Sequence, residues 1–429
     1  MSLNQQFPGD HIQYAEGNLC LGGIPLDRLA DLYGTPLFVY DIDRIRARCD
    51  ELQSSLNSVS NTSKPFFAVK ALGNLAILHE IHKKNFGMDV VSGGEIERCL
   101  AAGVPASDII FSGVAKSREE IALGVRVAIK AFNIESPHEV NLIADEAKRF
   151  DKIVHVALRF NPDVDGETHT KINTGLATTK FGLNPDLALE VAHKVLASPS
   201  LRLSGITCHI GSQIMSMDML RMAARKVKVF ASQLIQIGAP LDHVDMGGGL
   251  AVPYRPEEAI LSPSFADWVN ACRFALPSSN IALHLEPGRA IVADAGVLLT
   301  RVIDVKLSGG RHFALVDAGM TELIRPAMYD AYHHILPTVD LGDHDQVKLY
   351  DVAGPVCETS CLLGHDIPLR GITAGSLLAV LTSGAYGMSM ASNYNSRPKP
   401  AEVAVEGAVA RLIRQRETLS CLWDTEHFA

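Results

Sequence analysis

The stretch GMDVVSGGEIERCLAAGV, residues 87–104, holds a strand, a cap and a helix in succession. GMDVVS is a short apolar run, which predicts a buried strand, and EIERCLAAGV has helical periodicity. Ser92 and Glu95 stand at the S-x-x-E spacing between them. There the serine accepts a first-turn amide and the glutamate reaches back to the serine N–H. The unit recurs. Further strands are predicted at PFFAVKA (65–71), DIIFSG (108–113), AIKAFNI (128–134), IVHVALRFN (153–161), LSGITCHIG (203–211), HVDMGGG (243–249) and IALHLEPG (281–288). Ser117 with Glu120 and Ser136 with Glu139 repeat the cap, and Pro137 takes the favoured first helical position. LALEVAHKVLA (187–197) is another helical segment. Eight strand–helix units predict an α/β fold whose parallel sheet closes as a (β/α)8, TIM-type barrel. The rival is an open doubly wound sheet, but no G-x-G-x-x-G follows the first strand.

After about residue 294 the texture changes. GVLLTRVIDVKL, the turn SGG and RHFALVDAG predict a hairpin, and GSLLAVLTSG and EVAVEGAVARLI predict further strands. IQYAEGNLCL and PLFVYD near the start are also strand-like. The expected organisation is a barrel over 43–294 and an all-β domain, sandwich- or barrel-like, built from both chain ends, 1–42 and 295–429.

The 429 residues are 47% hydrophobic and 20% charged, ordinary values for a soluble chain with a substantial core. A net charge of −9 without a basic run argues against nucleic-acid binding. MSLNQQFPGD lacks the basic start and apolar block of a signal peptide. The least charged long stretch, Gly371 to Ser396, is broken by polar residues and glycines, so no membrane span is expected. Eight scattered cysteines suit reduced thiols, hence a cytoplasmic location. Cys357, Cys361 and His365 are spaced by four, but a closed zinc site needs a fourth ligand. No metal is expected.

The unusual residues gather where strands end, and in a barrel the loops after those ends build the active site. Lys70 ends the first strand, Ser92-Gly93-Gly94 follow the second, and His209 lies at the sixth. Gly247-Gly248-Gly249 close the seventh and Glu286-Pro287-Gly288-Arg289 the eighth. The triple glycine permits close approach and offers N–H groups to an anion; as an isolated feature it would be a tight turn. With Gly288 it matches the place where barrels hold phosphate. A desolvated Lys70 amine is suited to forming a Schiff base with a carbonyl. Lysine, phosphate cradle and the Glu286 carboxylate together suggest pyridoxal 5'-phosphate, with Glu286 on the ring nitrogen. Taken singly, Glu286 could pair with Arg289, and His209 could be a satisfied core histidine.

FAVKA, DVVSGGE, HIGSQ, GGG, EPGR, CE, GAY and YNSRPKPAEV, in this order from about Tyr40 to Val403, resemble the fold-type III pyridoxal-phosphate decarboxylases. RFNPDVDGETHTKINTGLATTKFGL (159–183) is similar to the diaminopimelate branch of that family. The resemblance implies that Lys70 carries the cofactor and His209 stacks on its ring. It implies that Ser212, Gly247, Gly248, Gly249 and the segment Glu286, Pro287, Gly288, Arg289 hold its phosphate and ring nitrogen. Arg289, Arg325 and Tyr329 would grip substrate carboxylates, Cys357 would donate a proton, and Glu358 would meet the distal ammonium. Tyr386 would touch both cofactor and substrate. The implied activity is decarboxylation of meso-2,6-diaminopimelate to L-lysine and CO2, the last step of lysine biosynthesis, in a homodimer with shared sites. The alternatives are a decarboxylase of ornithine, arginine or carboxynorspermidine, a racemase on the same fold, and a non-catalytic homologue. Retained Lys70 and Cys357 oppose the last, and Glu286 opposes the racemase. One departure stands out. The family continues CESGD or CETGD, whereas Cys361 stands here in the aspartate's place.

Overall fold

Eight parallel strands close into a barrel in the computed structural model, which describes residues 11–60, 62–164, 180–340 and 346–428. They are Lys64–Ala68, Gly87–Val90, Ile109–Phe111, Ala131–Ile134, Val154–Arg159, Leu201–Thr207, His243–Asp245 and Ala282–Leu285. Each pairs with its sequence neighbours, and the eighth returns to the first through His284 opposite Lys64 and Leu285 opposite Pro65. That last pairing excludes the open sheet. The opening MSLNQQFPGD and residues 165–179 of the diaminopimelate-like stretch lie outside the described residues.

Serine caps start the helices as expected, but two glutamates act one residue further upstream. Ser117 and Glu120 form the full reciprocal box ahead of Arg118–Val127. Ser92 and Ser136 each accept the N3 amide, from Glu95 and Glu139. The Glu95 carboxylate instead accepts the Val91 amide, and that of Glu139 accepts the Glu135 amide and the ammonium of buried Lys116. A buried cation therefore draws Glu139 away from the cap.

The chain divides into two compact units: Ala47–Ala251 with Ser262–Ala290, and Met1–Arg46 with Val252–Leu261 and Ile291–Ala429. The first holds the barrel. The second is mostly β and draws on both ends of the chain. Its sheet runs in the order Leu362–Arg370, Val347–Ala353, Arg311–Val316, Gly296–Ser308, Leu37–Asp41, Ala401–Glu406, Val409–Arg414. The expected hairpin is present, with Ser308 opposite Arg311 and Gly309 and Gly310 at φ +57° and +81°. Two consecutive positive φ values are what a tight two-residue hairpin turn requires. Leu37, Val39, Val297, Leu299, Leu377, Ala379, Val403 and Val405 form the unit's main apolar cluster. Among the described residues no helix is long and apolar enough to cross a membrane.

Candidate active site

In the barrel unit, the first strand stops at Ala68, and Lys70 sits just beyond it in a short 3-10 turn, Val69–Ala71. This corrects the expectation that Lys70 ends the strand. The turn frees the side chain from the barrel wall: it is 40% exposed, while its Nζ lies 3.9 Å from the fully buried Asp89 carboxylate. An ammonium here has one foot in the interior and one in open space.

Opposite it lies a cluster of buried acids. Glu286 accepts a hydrogen bond from Ser112 (3.3 Å), whose own oxygen accepts from the Asn133 amide at 2.7 Å. Burial pushes the Glu286 carboxyl well above the usual range; the charges of Asp89 and Asp245 push it further, and Lys70 and Arg159 pull it back. Burial likewise raises Asp89, against the attraction of Lys70. His209 is pushed well below its ordinary value by desolvation, then by Lys70 and Arg159. It is therefore neutral, and its Nδ1 accepts the Gly248 amide at 3.2 Å. That bond places the proton on Nε2.

The glycines close the rim. A Cβ on Gly248 would collide with the Glu286 carbonyl oxygen, and one on Gly247 would come within 2.6 Å of the Cys208 carbonyl oxygen. Gly247 also adopts φ +68°, and its amide donates to the Asp245 carboxylate at 2.8 Å. Arg289 donates to Ser212 Oγ at 3.2 Å, joining the eighth strand's end to the sixth's. Pro287 and Gly288 are buried, with the Pro287 carbonyl accepting the Ala68 amide at 2.9 Å. The residues fit pyridoxal phosphate on two counts. The glycines at 247, 248, 249 and 288 pack so closely on neighbouring atoms that none has room for a Cβ, which leaves bare backbone at the rim where a phosphate would rest. The three buried carboxyls around Lys70 and Arg159 would welcome one further positive charge, as a protonated ring nitrogen carries.

Asp245 offers a test of this electrostatic reading. Its Oδ2 has no hydrogen-bond partner among the described residues, and burial pushes its carboxyl from 3.8 up to about 7. The folded group thus keeps its proton to higher pH than the unfolded one. Its contribution to stability declines as pH climbs from about 4 to about 7. Asp245→Asn keeps an acceptor for the Gly247 amide without the charge. The cofactor-free variant is expected to have a higher urea midpoint than wild type at pH 8, with the advantage gone near pH 4. An advantage equal at both pH values contradicts the buried-charge explanation.

The other expected residues belong to the mostly-β unit. Arg325 opens the short helix Arg325–Tyr329 and is buried; its guanidinium lies 4.4 Å over the Tyr254 ring. Arg325 Nη1 donates to His333 Nε2 at 2.7 Å, and His333 Nδ1–H donates to the Leu381 carbonyl at 2.9 Å. This chain fixes a neutral histidine and aims the arginine. Neither Tyr254 nor His333 has a sequence signal, since their partners are set by tertiary folding. Cys357 and Glu358 are exposed; the Cys357 amide donates to Asn395 Oδ1 at 3.0 Å and the Tyr394 hydroxyl to Glu358 at 2.6 Å. Both supports lie in YNSRPKPAEV, a segment already singled out. Tyr329 is half-buried. Tyr386 is half-buried at φ +58°, an unusual conformation for an aromatic residue and one that often marks a functional site. His365 lies on the strand Leu362–Arg370 and faces Asp351.

Comparison with known proteins places this geometry. The family described as "Pyridoxal-dependent decarboxylase, pyridoxal binding domain" matches residues 42–293. The chain is 42% identical to the diaminopimelate decarboxylase of Haemophilus influenzae over 96% of its own length and 98% of that protein's. Its fold is similar to the crystal structure of diaminopimelate decarboxylase from M. jannaschii in co-complex with L-lysine, at TM-score 0.92 and 34% identity, covering 98% of each chain. It is also similar to the Helicobacter pylori diaminopimelate decarboxylase complexed with L-lysine, at TM-score 0.88 and 36% identity, covering 94% of this chain and 99% of that one.

Proposed function

Because this chain belongs to the pyridoxal-dependent decarboxylases, in their diaminopimelate branch, we propose that it removes CO2 from meso-2,6-diaminopimelate to leave L-lysine, the last step of lysine biosynthesis. The observation that carries the reading is the buried, cation-seeking carboxyl cluster around Glu286, set beside the Lys70 amine and a glycine cradle. When bound, pyridoxal phosphate supplies the electron sink that accepts the pair left behind as CO2 departs.

The chain's own residues have the following roles in this proposal. Lys70 supplies the amine that holds the cofactor. Gly247, Gly248, Gly249 and Gly288, with Ser212, hold its phosphate. The amides of Gly247 and Gly248 are engaged by Asp245 and His209, so those two glycines give close backbone approach while Gly249, Gly288 and the Ser212 hydroxyl donate. Glu286 keeps its ring nitrogen protonated, and neutral His209 stacks on the ring without adding a competing charge. Arg289, Arg325 and Tyr329 bind substrate carboxylates, Glu358 binds the distal ammonium, and Tyr386 contacts cofactor and substrate. Cys357 Sγ carries the proton delivered to carbon. The assembly is a homodimer with shared sites. All eight cysteines are free, which suits a reducing cytoplasm.

A panel of diaminopimelate, ornithine, arginine and carboxynorspermidine, scored for CO2 and product, tests the substrate. Diaminopimelate should give the highest kcat/KM and lysine as product; faster turnover of another member would reassign the enzyme. Arg325 has its own expected effect. It is buried, so truncation leaves a substrate carboxylate without its charged partner, at about 2–5 kcal/mol. Arg325→Ala should therefore lower kcat/KM on diaminopimelate by roughly 30-fold to several thousandfold. Unchanged kcat/KM would remove Arg325 from the substrate site.

A further inference from the structure

Cys361 differs in kind from Cys357, four residues earlier: it is 2% exposed and its thiol is enclosed by protein. Its sulfur fills a slot that two glycines open. A Cβ on Gly319 would lie 2.6 Å from Cys361 Sγ, and a Cβ on Gly354 would lie 2.7 Å from it. These glycines follow the parallel strands Arg311–Val316 and Val347–Ala353, so at this point two backbone segments approach each other around one sulfur atom. The sulfur also accepts the Met320 amide at 3.4 Å.

Each segment has its own internal turn bonds, besides outside supports: the Ser392 amide on the Thr321 carbonyl and the Ala318 amide on Thr300 Oγ1 for the first, Asn395 and Tyr394 for the second. In the first, the Glu322 and Leu323 amides donate to the Gly319 carbonyl, and the Glu322 carboxylate accepts the Gly319 amide at 2.8 Å. This turn leads into the helix that begins at Arg325. In the second, the Gly354 amide donates to the Cys361 carbonyl at 2.9 Å and the Cys361 amide to the Glu358 carbonyl at 3.0 Å. That loop carries Cys357 and Glu358. Among the described residues, the direct hydrogen bond from one segment to the other is Met320 N–H to the Cys361 sulfur.

We propose that Cys361 is a positioning residue: its buried sulfur is the joint that sets the Cys357–Glu358 loop in register with the turn leading into the Arg325 helix. The inference rests on the proposed roles of Cys357 and Arg325. The thiol acts as spacer and acceptor and takes no part in the chemistry. A substituent of the wrong size in the slot shifts the Cys357–Glu358 loop on its own chain, and with it the proton donor that the proposed dimer presents to the neighbouring site, while Arg325 keeps His333 and Tyr254.

The test compares Cys361→Ala and Cys361→Ser with wild type as holoenzymes. The measurements are kcat and KM on diaminopimelate and amide hydrogen exchange across 318–323 and 354–362. Cys361→Ala should lower kcat at least about tenfold, since misplacement by about 1 Å can cost on the order of 10²-fold. KM should move far less, and both segments should exchange faster. Cys361→Ser, whose hydroxyl still accepts the Met320 amide but fills less of the slot, should recover part of kcat. Unchanged kcat and exchange in Cys361→Ala overturns the proposal, as does a KM rise that accounts for the whole loss. If Cys361→Ala does not fold, Cys361→Ser decides: wild-type kcat and wild-type exchange together overturn the joint. Full activity in Cys357→Ala would instead strike the proposed role of Cys357, and the exchange data would still decide whether the sulfur joins the two segments.

Discussion

Lys70→Ala protein is expected to emerge colourless after dialysis, with no visible band for borohydride to fix and no cofactor-modified peptide. Wild type should be yellow, and borohydride should place the cofactor's mass on the peptide containing Lys70. The expectation follows from where the lysine stands. The 3-10 turn lifts it off the strand, its Nζ is 3.9 Å from Asp89, and it remains 40% exposed, so a carbonyl can reach it. It also faces a glycine cradle and the acid cluster around Glu286, both of which suit the cofactor. Activity should fall by at least about 10²–10⁴-fold, the range that one positioned proton-transferring group supplies; losing the covalent anchor adds to that. The conservative Lys70→Arg variant should fail equally, because a guanidinium stays protonated and cannot act as the nucleophile. A borohydride-fixed cofactor in Lys70→Ala would assign the anchor to another lysine.

The second large effect is a recovery. Lys70 belongs to the barrel unit and Cys357 to the other, and in the proposed dimer each site takes its cysteine from the neighbouring subunit. Lys70→Ala and Cys357→Ala proteins should each be nearly inactive. After random subunit exchange, half of the dimers are mixed, and each mixed dimer has one site with both residues intact. Recovery should approach roughly a quarter of wild-type activity. If lysine and cysteine met within one chain, every site would still carry a lesion and nothing would return. Mass spectrometry of the mixture shows whether exchange took place, so an inactive mixture of proven heterodimers would disprove sharing.

The barrel was legible because the strands are short apolar runs, most of them bounded by a cap or a glycine, and their eightfold recurrence without a G-x-G-x-x-G favours closure over an open doubly wound sheet. PFFAVKA, HVDMGGG and IALHLEPG all contain strands of the closed barrel. The acids and glycines at the rim were legible for the same reason, since strand ends fix where side chains gather. Less visible were details that depend on distant partners. Glu139 abandons its cap for Lys116, 23 residues upstream in sequence, and no local spacing announces that. His333 and Tyr254 support Arg325 from other parts of the chain and carry no motif of their own. Val252–Leu261, an interval inside the barrel sequence, groups with the β unit; its composition gives no sign of that. Pairwise contacts of this kind are chosen by the fold as a whole.

The strand Leu37–Asp41 lies in the middle of its sheet, between Gly296–Ser308 and Ala401–Glu406. During synthesis this has a temporal meaning. The strand emerges early, yet its parallel neighbour is translated about 360 residues later, on the order of 20–70 s at typical elongation rates. Until Gly296–Ser308 is made, the buried segment LFVYD has no native edge to join, and until Ala401–Glu406 follows it has only one, while most barrel strands find partners among close sequence neighbours. The barrel can therefore complete first and the β unit last. A ribosome stalled before residue 401 would hold a finished barrel tethered to a central strand still lacking one side of its sheet, which is the species a chaperone would be most useful to.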